Sequence, residues 1–202
     1  MAYPTVDAPY GFQPINRVDG ISYAGAIRQI PITASYGTAI YNGDLVKLVV
    51  GGTVEKSSVT TNVEAQPTLG VFVGCQYVNS QGQTVQGQYY PTGVTNAIAY
   101  VVVDPQAAFK VAVTTSGNTS VVTSVTRAAV GTNIAVAAGT GSNTTGDSGL
   151  SVVSGSAANT ATLPFRVVDV VPETAVNATN FREVIVKMNQ PQLEVTLGNN
   201  AS

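Results

Sequence analysis

Tyr41-Asn-Gly-Asp-Leu-Val-Lys-Leu-Val-Val-Gly-Gly-Thr-Val-Glu55 reads as turn, strand, turn, strand. Asn42-Gly43 supplies a residue pair that tolerates positive φ, the ordinary chemistry of a tight turn. Leu45–Val50 is β-branched and apolar, and Gly51-Gly52 is a two-residue connection after which a short strand returns. The same grammar recurs outward from this hairpin. Ala26–Ile32 precedes it as a strand, and Leu69–Val78 follows as an apolar run with the composition of a buried one. Asn79–Gln88, rich in glutamine and glycine, reads as a loop. Ala97–Val103 is a strand stopped by Asp104-Pro105, and Ala108–Val113 alternates as a half-buried strand does. Asn133–Ala138, Ala161–Val171 and Phe181–Met188 complete the set, with one turn of helix at Arg127–Val130.

This gives nine to eleven strands, no helical apolar stripe and no β-α rhythm. The expected class is all-β, an antiparallel β-barrel or sandwich. Composition agrees. Charged residues are 10% of the 202-residue chain, against about 25% in an average domain. Valine, threonine and the 20 glycines fill the space. The predicted organisation is an extended N-terminal arm over residues 1–25, a β-barrel or sandwich domain over 26–189, and a C-terminal tail over 190–202. The Ser/Thr-rich stretch at 114–126 is where two β subdomains would meet. The arm is read from Pro4, Pro9 and Pro14, which keep the chain extended, and from aromatic groups that would sit in water unless they lay on a partner.

Gly146-Asp-Ser-Gly149 spells the tetrapeptide around the nucleophile of chymotrypsin-like proteases. A serine needs a base to take its proton, and the chain has no histidine. No Ser-x-x-Lys spacing links Ser148 to a lysine, so the expectation is a polar loop. The single cysteine, Cys75, sits in a strand and reads as a buried thiol. Metal ligands are lacking, since the acidic residues are scattered singly and there is no histidine. Asp104 and Asp169 are the pair that would have to meet for glycosidase-type acid–base work. The Gly139-x-Gly141 stretch lacks the spacing and context of a dinucleotide fingerprint. No catalytic, cofactor-binding or metal residue is therefore assigned, no cofactor is expected, and the chain is read as not an enzyme.

Net charge is −2 with no basic cluster, which argues against nucleic acid as a partner. No apolar run approaches membrane-spanning length, and no secretory signal is read at the N-terminus. A protein short of charge, rich in strands and free of site chemistry suits a function made of contact area.

The ordered motifs then point to a family. Tyr41–Lys56 follows x-N-G-D-x-V-x-L-x-x-G-G-x-V. Leu69–Gly74 follows x-x-G-V-F-V-G, and Val101–Val111 follows x-V-V-x-D-P-x-x-x-F-x-V. Val130–Asn133, Thr145–Ser148, Phe165–Pro172 and Val184–Asn189 keep the order. Over Gly11 to Asn189 the chain resembles the capsid decoration, or cement, proteins of tailed bacteriophages, notably marine and cyanobacterial podovirus-like head proteins. Its first half is similar to the lambda-like decoration fold. The resemblance implies a β-tulip-like element in the first half and a location on the outer surface of the virion capsid. It implies the major capsid protein as partner, and a homo-oligomer, either trimer or dimer. The candidate capsid-interface residues are Tyr3, Tyr10, Phe12 and Arg17. The alternatives are a phage tail or fibre component and a secreted carbohydrate-binding module.

Overall fold

The computed structural model describes residues 6–22, 26–63, 67–115, 122–175 and 181–194. Tyr3, the tail beyond residue 194 and residues 116–121 lie outside them. Among the described residues the fold is all-β: thirteen strands in two sheets, with helix limited to three short turns. The turn expected at Arg127–Val130 is one of them, a 3-10 turn at Arg127–Ala129.

Six strands from the first half of the chain form one sheet. They are β2 (Ile27–Pro31), β3 (Leu45–Leu48), β4 (Val54–Lys56), β5 (Gly70–Val78), β6 (Thr84–Gly87) and β7 (Ala97–Val102). The order is β2-β7-β5-β3-β4, with β6 paired to β5. A parallel bridge between Ile32 and Val54 joins the two ends and nearly closes the sheet into a barrel. The other sheet contains β1 (Gln13–Arg17), β8 (Ala107–Thr114), β9 (Asn133–Ile134), β10 (Val136–Ala137), β11 (Ser151–Val153), β12 (Phe165–Val170) and β13 (Arg182–Met188). Its order is β10-β11-β8-β13-β12-β9, and β1 adds to β8. All pairings in it are antiparallel except β11 with β8.

Adjacent residues on a strand point to opposite faces. Leu45, Val71 and Val102 enter a core shared with Phe109, Val111, Phe165, Val184 and Val186 of the second sheet. Their chain neighbours Val46, Phe72 and Val101 enter the barrel interior with Ile32, Ile40, Leu69 and Tyr90. The central barrel strands are therefore apolar on both faces, which is why β5 reads as an unbroken hydrophobic run rather than an alternation.

Four expectations change. The sheets exchange at 103–106, between β7 and β8, rather than near 114–126. The segment read as an arm is built in from Gly11 onward, because β1 pairs with β8 from Gln13–Lys110 to Arg17–Ala107. The loop at 79–88 contains β6, the return strand of a hairpin. The Asn79 side chain accepts from the Gln81 and Gln83 amides at 3.0 and 2.9 Å and shapes its turn. Val85 is the single large apolar residue of that edge strand, so the sequence signal was weak. β12 starts at Phe165 rather than Ala161, after a turn.

Cys75 is 1% exposed. Burial pushes its thiol from 9.0 up to about 12. At pH 8 the native thiol is therefore protonated, and the thiolate is the reactive form. The folded protein is expected to resist a maleimide at pH 8, and the urea-unfolded chain to react promptly. Equal rates would contradict the burial. Because the folded value is the higher one, this group favours folding fully below about pH 9 and progressively less as pH rises toward 12.

Candidate contact surface

The Asn42-Gly43-Asp44 turn is the joint between the sheets. Gly43 adopts φ +87° and Gly11 φ +82°. They pass so close that a Cβ on Gly11 would lie 2.6 Å from the Ser148 Cβ and 2.7 Å from the Gly43 carbonyl oxygen. Only glycine fits both the conformation and the space. Four segments are stitched together here by backbone bonds: Phe12 N–H to Gly43 O, Gly11 N–H to Leu150 O, Gly43 N–H to Phe72 O and Ser148 N–H to Asn42 O.

Asp44 lies at the centre, fully buried. One carboxylate oxygen accepts from the Ser148 hydroxyl at 2.6 Å. The other accepts from the Tyr41 amide at 2.9 Å and pairs with the Lys56 ammonium at 2.8 Å. Ser148 Oγ in turn accepts from the Leu150 amide at 3.1 Å. The serine of the Gly-Asp-Ser-Gly tetrapeptide is thus no idle loop residue. Its proton is donated to a carboxylate, and at 1% exposure it is closed to substrate. Its role is to satisfy a buried charge that would otherwise be costly.

Asp104 and Asp169 are each tied to their own arginine. Asp104 meets Arg17 at 3.2 Å and Asp169 meets Arg127 at 2.9 Å. No cluster of three metal-ligating side chains occurs among the described residues, and no helix there is long and apolar enough to cross a membrane.

Of the contact residues expected from sequence, Phe12 and Tyr10 turn inward. Phe12 is fully buried, stacked on Phe165 at 4.4 Å between centroids and edge-on to Phe109 at 6.5 Å. It is a core residue and presents no ring to a partner in this conformation. Tyr10 is half-buried and donates its hydroxyl to Glu183, which also pairs with Lys110 at 3.3 Å. Burial, reinforced by that acceptor, raises the Tyr10 phenol far above its ordinary value. Arg17 stays near the surface, bridging Asp104 and, at 3.4 Å, Asp19.

What Arg17 organises is a hydrogen-bonded turn. Arg17 N–H donates to Ile21 O, Gly20 N–H to Arg17 O and Val18 N–H to Gln106 O. The Ile21 amide bonds the Asp19 carboxylate. Ile15, Val18 and Ile21 project from this segment at 37, 45 and 58% exposure. The register of β1 shifts between Pro14 and Asn16, and this irregularity leaves Ile15 facing solvent. These aliphatic groups were missed in favour of the aromatic ones. The signal lay in their polar setting, since apolar residues spaced between Asn16, Arg17, Asp19 and Gly20 have no neighbours with which to form a strand face.

No protein-family model, curated protein or solved structure matches this chain.

Proposed function

We propose that this chain is a structural virion protein that binds the outer surface of a mature bacteriophage capsid and stabilises junctions between major capsid protein subunits. The observation that carries the reading is the pre-ordered apolar turn of Ile15, Val18 and Ile21, set in the segment where the resemblance to decoration proteins implies capsid contact. A turn already fixed by hydrogen bonds and the Arg17 ion pairs loses little entropy on docking. Exposed aliphatic groups in a polar rim are the composition of a contact centre. A shell filled with DNA is stressed at its subunit junctions. A protein that binds only the mature lattice stabilises it by linkage, and an interface of about 1,600 Å² is sufficient for firm attachment.

The test is co-sedimentation of the purified protein with mature undecorated capsids and with unexpanded precursor shells. Saturable pelleting with the mature shell alone is expected. Binding to neither shell overturns the reading and favours a tail component. The double variant Val18→Asp, Ile21→Asp is expected to abolish pelleting while shifting unfolding free energy by no more than about 0.5 kcal/mol, as exposed positions do. Retained binding by that variant would remove the turn from the interface.

A further inference from the structure

The pairing of β12 with β13 sets two cations directly opposite one another. Arg166 and Lys187 are Cα partners in that ladder. Their chain neighbours Phe165, Val167, Val186 and Met188 enter the core shared by the sheets. Arg166 and Lys187 therefore stand together on the outer face. Paired Cβ atoms lie about 5 Å apart, a spacing at which like charges destabilise a sheet. Among the described residues no carboxylate lies within ion-pair distance of either. The chain has eleven acidic residues to nine basic ones, so the opposition does not follow from a shortage of acids. The next row along the strands offers no compensation. Lys110, Ile185 and Asp169 are in register there. Lys110 is tied to Glu183 at 3.3 Å and Asp169 to Arg127 at 2.9 Å.

The arginine is also aimed. Asn133 faces it across the pairing of β9 with β12, and the Asn133 Oδ1 accepts from Arg166 Nε at 3.3 Å and from Asn189 Nδ2 at 3.0 Å. Asn133 is itself buried and donates to the Thr160 carbonyl at 2.9 Å. The guanidinium is thus held through one edge, and its two terminal nitrogens have no partner among the described residues. Arg166 is exposed and Lys187 half-buried. Beyond Lys187 the row continues through Ala108 to Asn16 on β1. Across five strands, about 19 Å, its centre is cationic and its ends carry only amides. We propose that this row is a docking surface for an acidic protein segment, two neighbouring carboxylates of which seat on Arg166 and Lys187. A guanidinium held by one edge presents its remaining N–H groups as a fork that matches a carboxylate. The ammonium beside it takes the second carboxylate as a point charge. Nucleic acid is the poorer occupant, because two cations on a chain of net charge −2 release too few counterions to hold a phosphate backbone. The repulsion carried by the free sheet is relieved on docking, so stability given up in the free protein returns as affinity. Asn16, at one end of the row, follows Ile15 of the apolar turn, which makes the two surfaces continuous along the chain. With the capsid as the partner, the inference rests on the reading proposed above.

The test titrates an oligoglutamate peptide into the full chain at low salt and follows the backbone amide NMR shifts. Saturable shifts centred on Arg166 and Lys187 are expected, and added salt is expected to weaken them, since exposed charges are screened. Lys187→Glu sets an acid opposite Arg166. It is expected to weaken peptide binding by roughly tenfold or more and to raise the urea midpoint, because opposite charges then face one another. Lys187→Arg is expected to keep the binding and the midpoint of the wild type. Absence of saturable shifts on the row, undiminished binding by Lys187→Glu, a lowered midpoint for that variant, or tighter binding of oligothymidylate than of oligoglutamate overturns the proposal. Co-sedimentation separates it from the capsid reading. Mature shells that bind wild type and Lys187→Glu equally leave that reading intact and remove the row from the interface. A wild type that ignores the shells but still titrates with the peptide removes the capsid and supports the row.

Discussion

Replacing Asp44 with alanine lowers the unfolding free energy by about 3–5 kcal/mol, the range for removing one partner of a buried ion pair. The physical basis is the number of groups that lose their acceptor together. The Ser148 hydroxyl, the Tyr41 amide and the Lys56 ammonium all converge on that carboxylate. Ser148 is closed to solvent, so water cannot replace the lost bond without a rearrangement of the joint. Ser148→Ala removes one donor and leaves the Lys56 pair, and it is expected to cost less, about 1–3 kcal/mol. Urea midpoints with unchanged slopes measure both. A loss below about 1 kcal/mol for Asp44→Ala would show that the site relaxes and hydrates, which contradicts its description as a sealed joint.

Phe12→Ala is the second large effect, also about 3–5 kcal/mol, the usual cost of emptying a buried aromatic site. Its ring lies between Phe165 and Phe109, and the strand that follows it has no other large apolar residue pointing inward. The cavity left behind is walled by β-strands that are held by their ladders, so it collapses poorly. Thermal or urea unfolding of the free protein reads this effect. A surface anchor would behave in the opposite way, with stability unchanged and only partner binding reduced. The two outcomes therefore separate the core assignment made here from the contact role that the sequence suggested.

The strands were legible because they are apolar on both faces or alternate cleanly. Leu45–Leu48, Gly70–Val78, Ala97–Val102, Ala107–Thr114 and Arg182–Met188 all lie where the patterns placed them. So did the Gly51-Gly52 connection, whose glycines adopt φ +99° and +75°. What failed was long-range assignment. Nothing near Phe12 in sequence says that its partner is Phe165, and nothing near Ser148 says that its acceptor is Asp44. Both pairings cross more than a hundred residues, and the first depends on β1 adding to β8, a placement that local propensity does not encode. Prolines at 4, 9 and 14 made the segment look free, yet Pro14 is tolerated because β1 is an edge strand. The exposed apolar turn of Ile15, Val18 and Ile21 escaped notice for a related reason. Aromatic groups dominate expectation at interfaces, while the side chains left outside are decided by a shift of register.

The joint of Gly11, Phe12, Asp44 and Ser148 also sets the order in which the chain can be completed as it leaves the ribosome. At about 5–20 residues per second, the strands of the barrel emerge and can pair while Phe12 still has no partner. Phe109 arrives well before Phe165, and Leu150 and Ser148 must follow before Gly11 is seated. Gly11 and Phe12, from the earliest part of the chain, are thus among the last residues to be fixed, whereas the turn carrying Val18 and Ile21 is bonded only within residues 17–21 and to Asp104 and Gln106 and can form as β8 emerges. A polypeptide truncated before Ser148 would carry the strands of the barrel but leave Asp44 without the Ser148 hydroxyl and Phe12 without the Phe165 ring. Translation itself thereby delays closure of the joint until most of the chain exists.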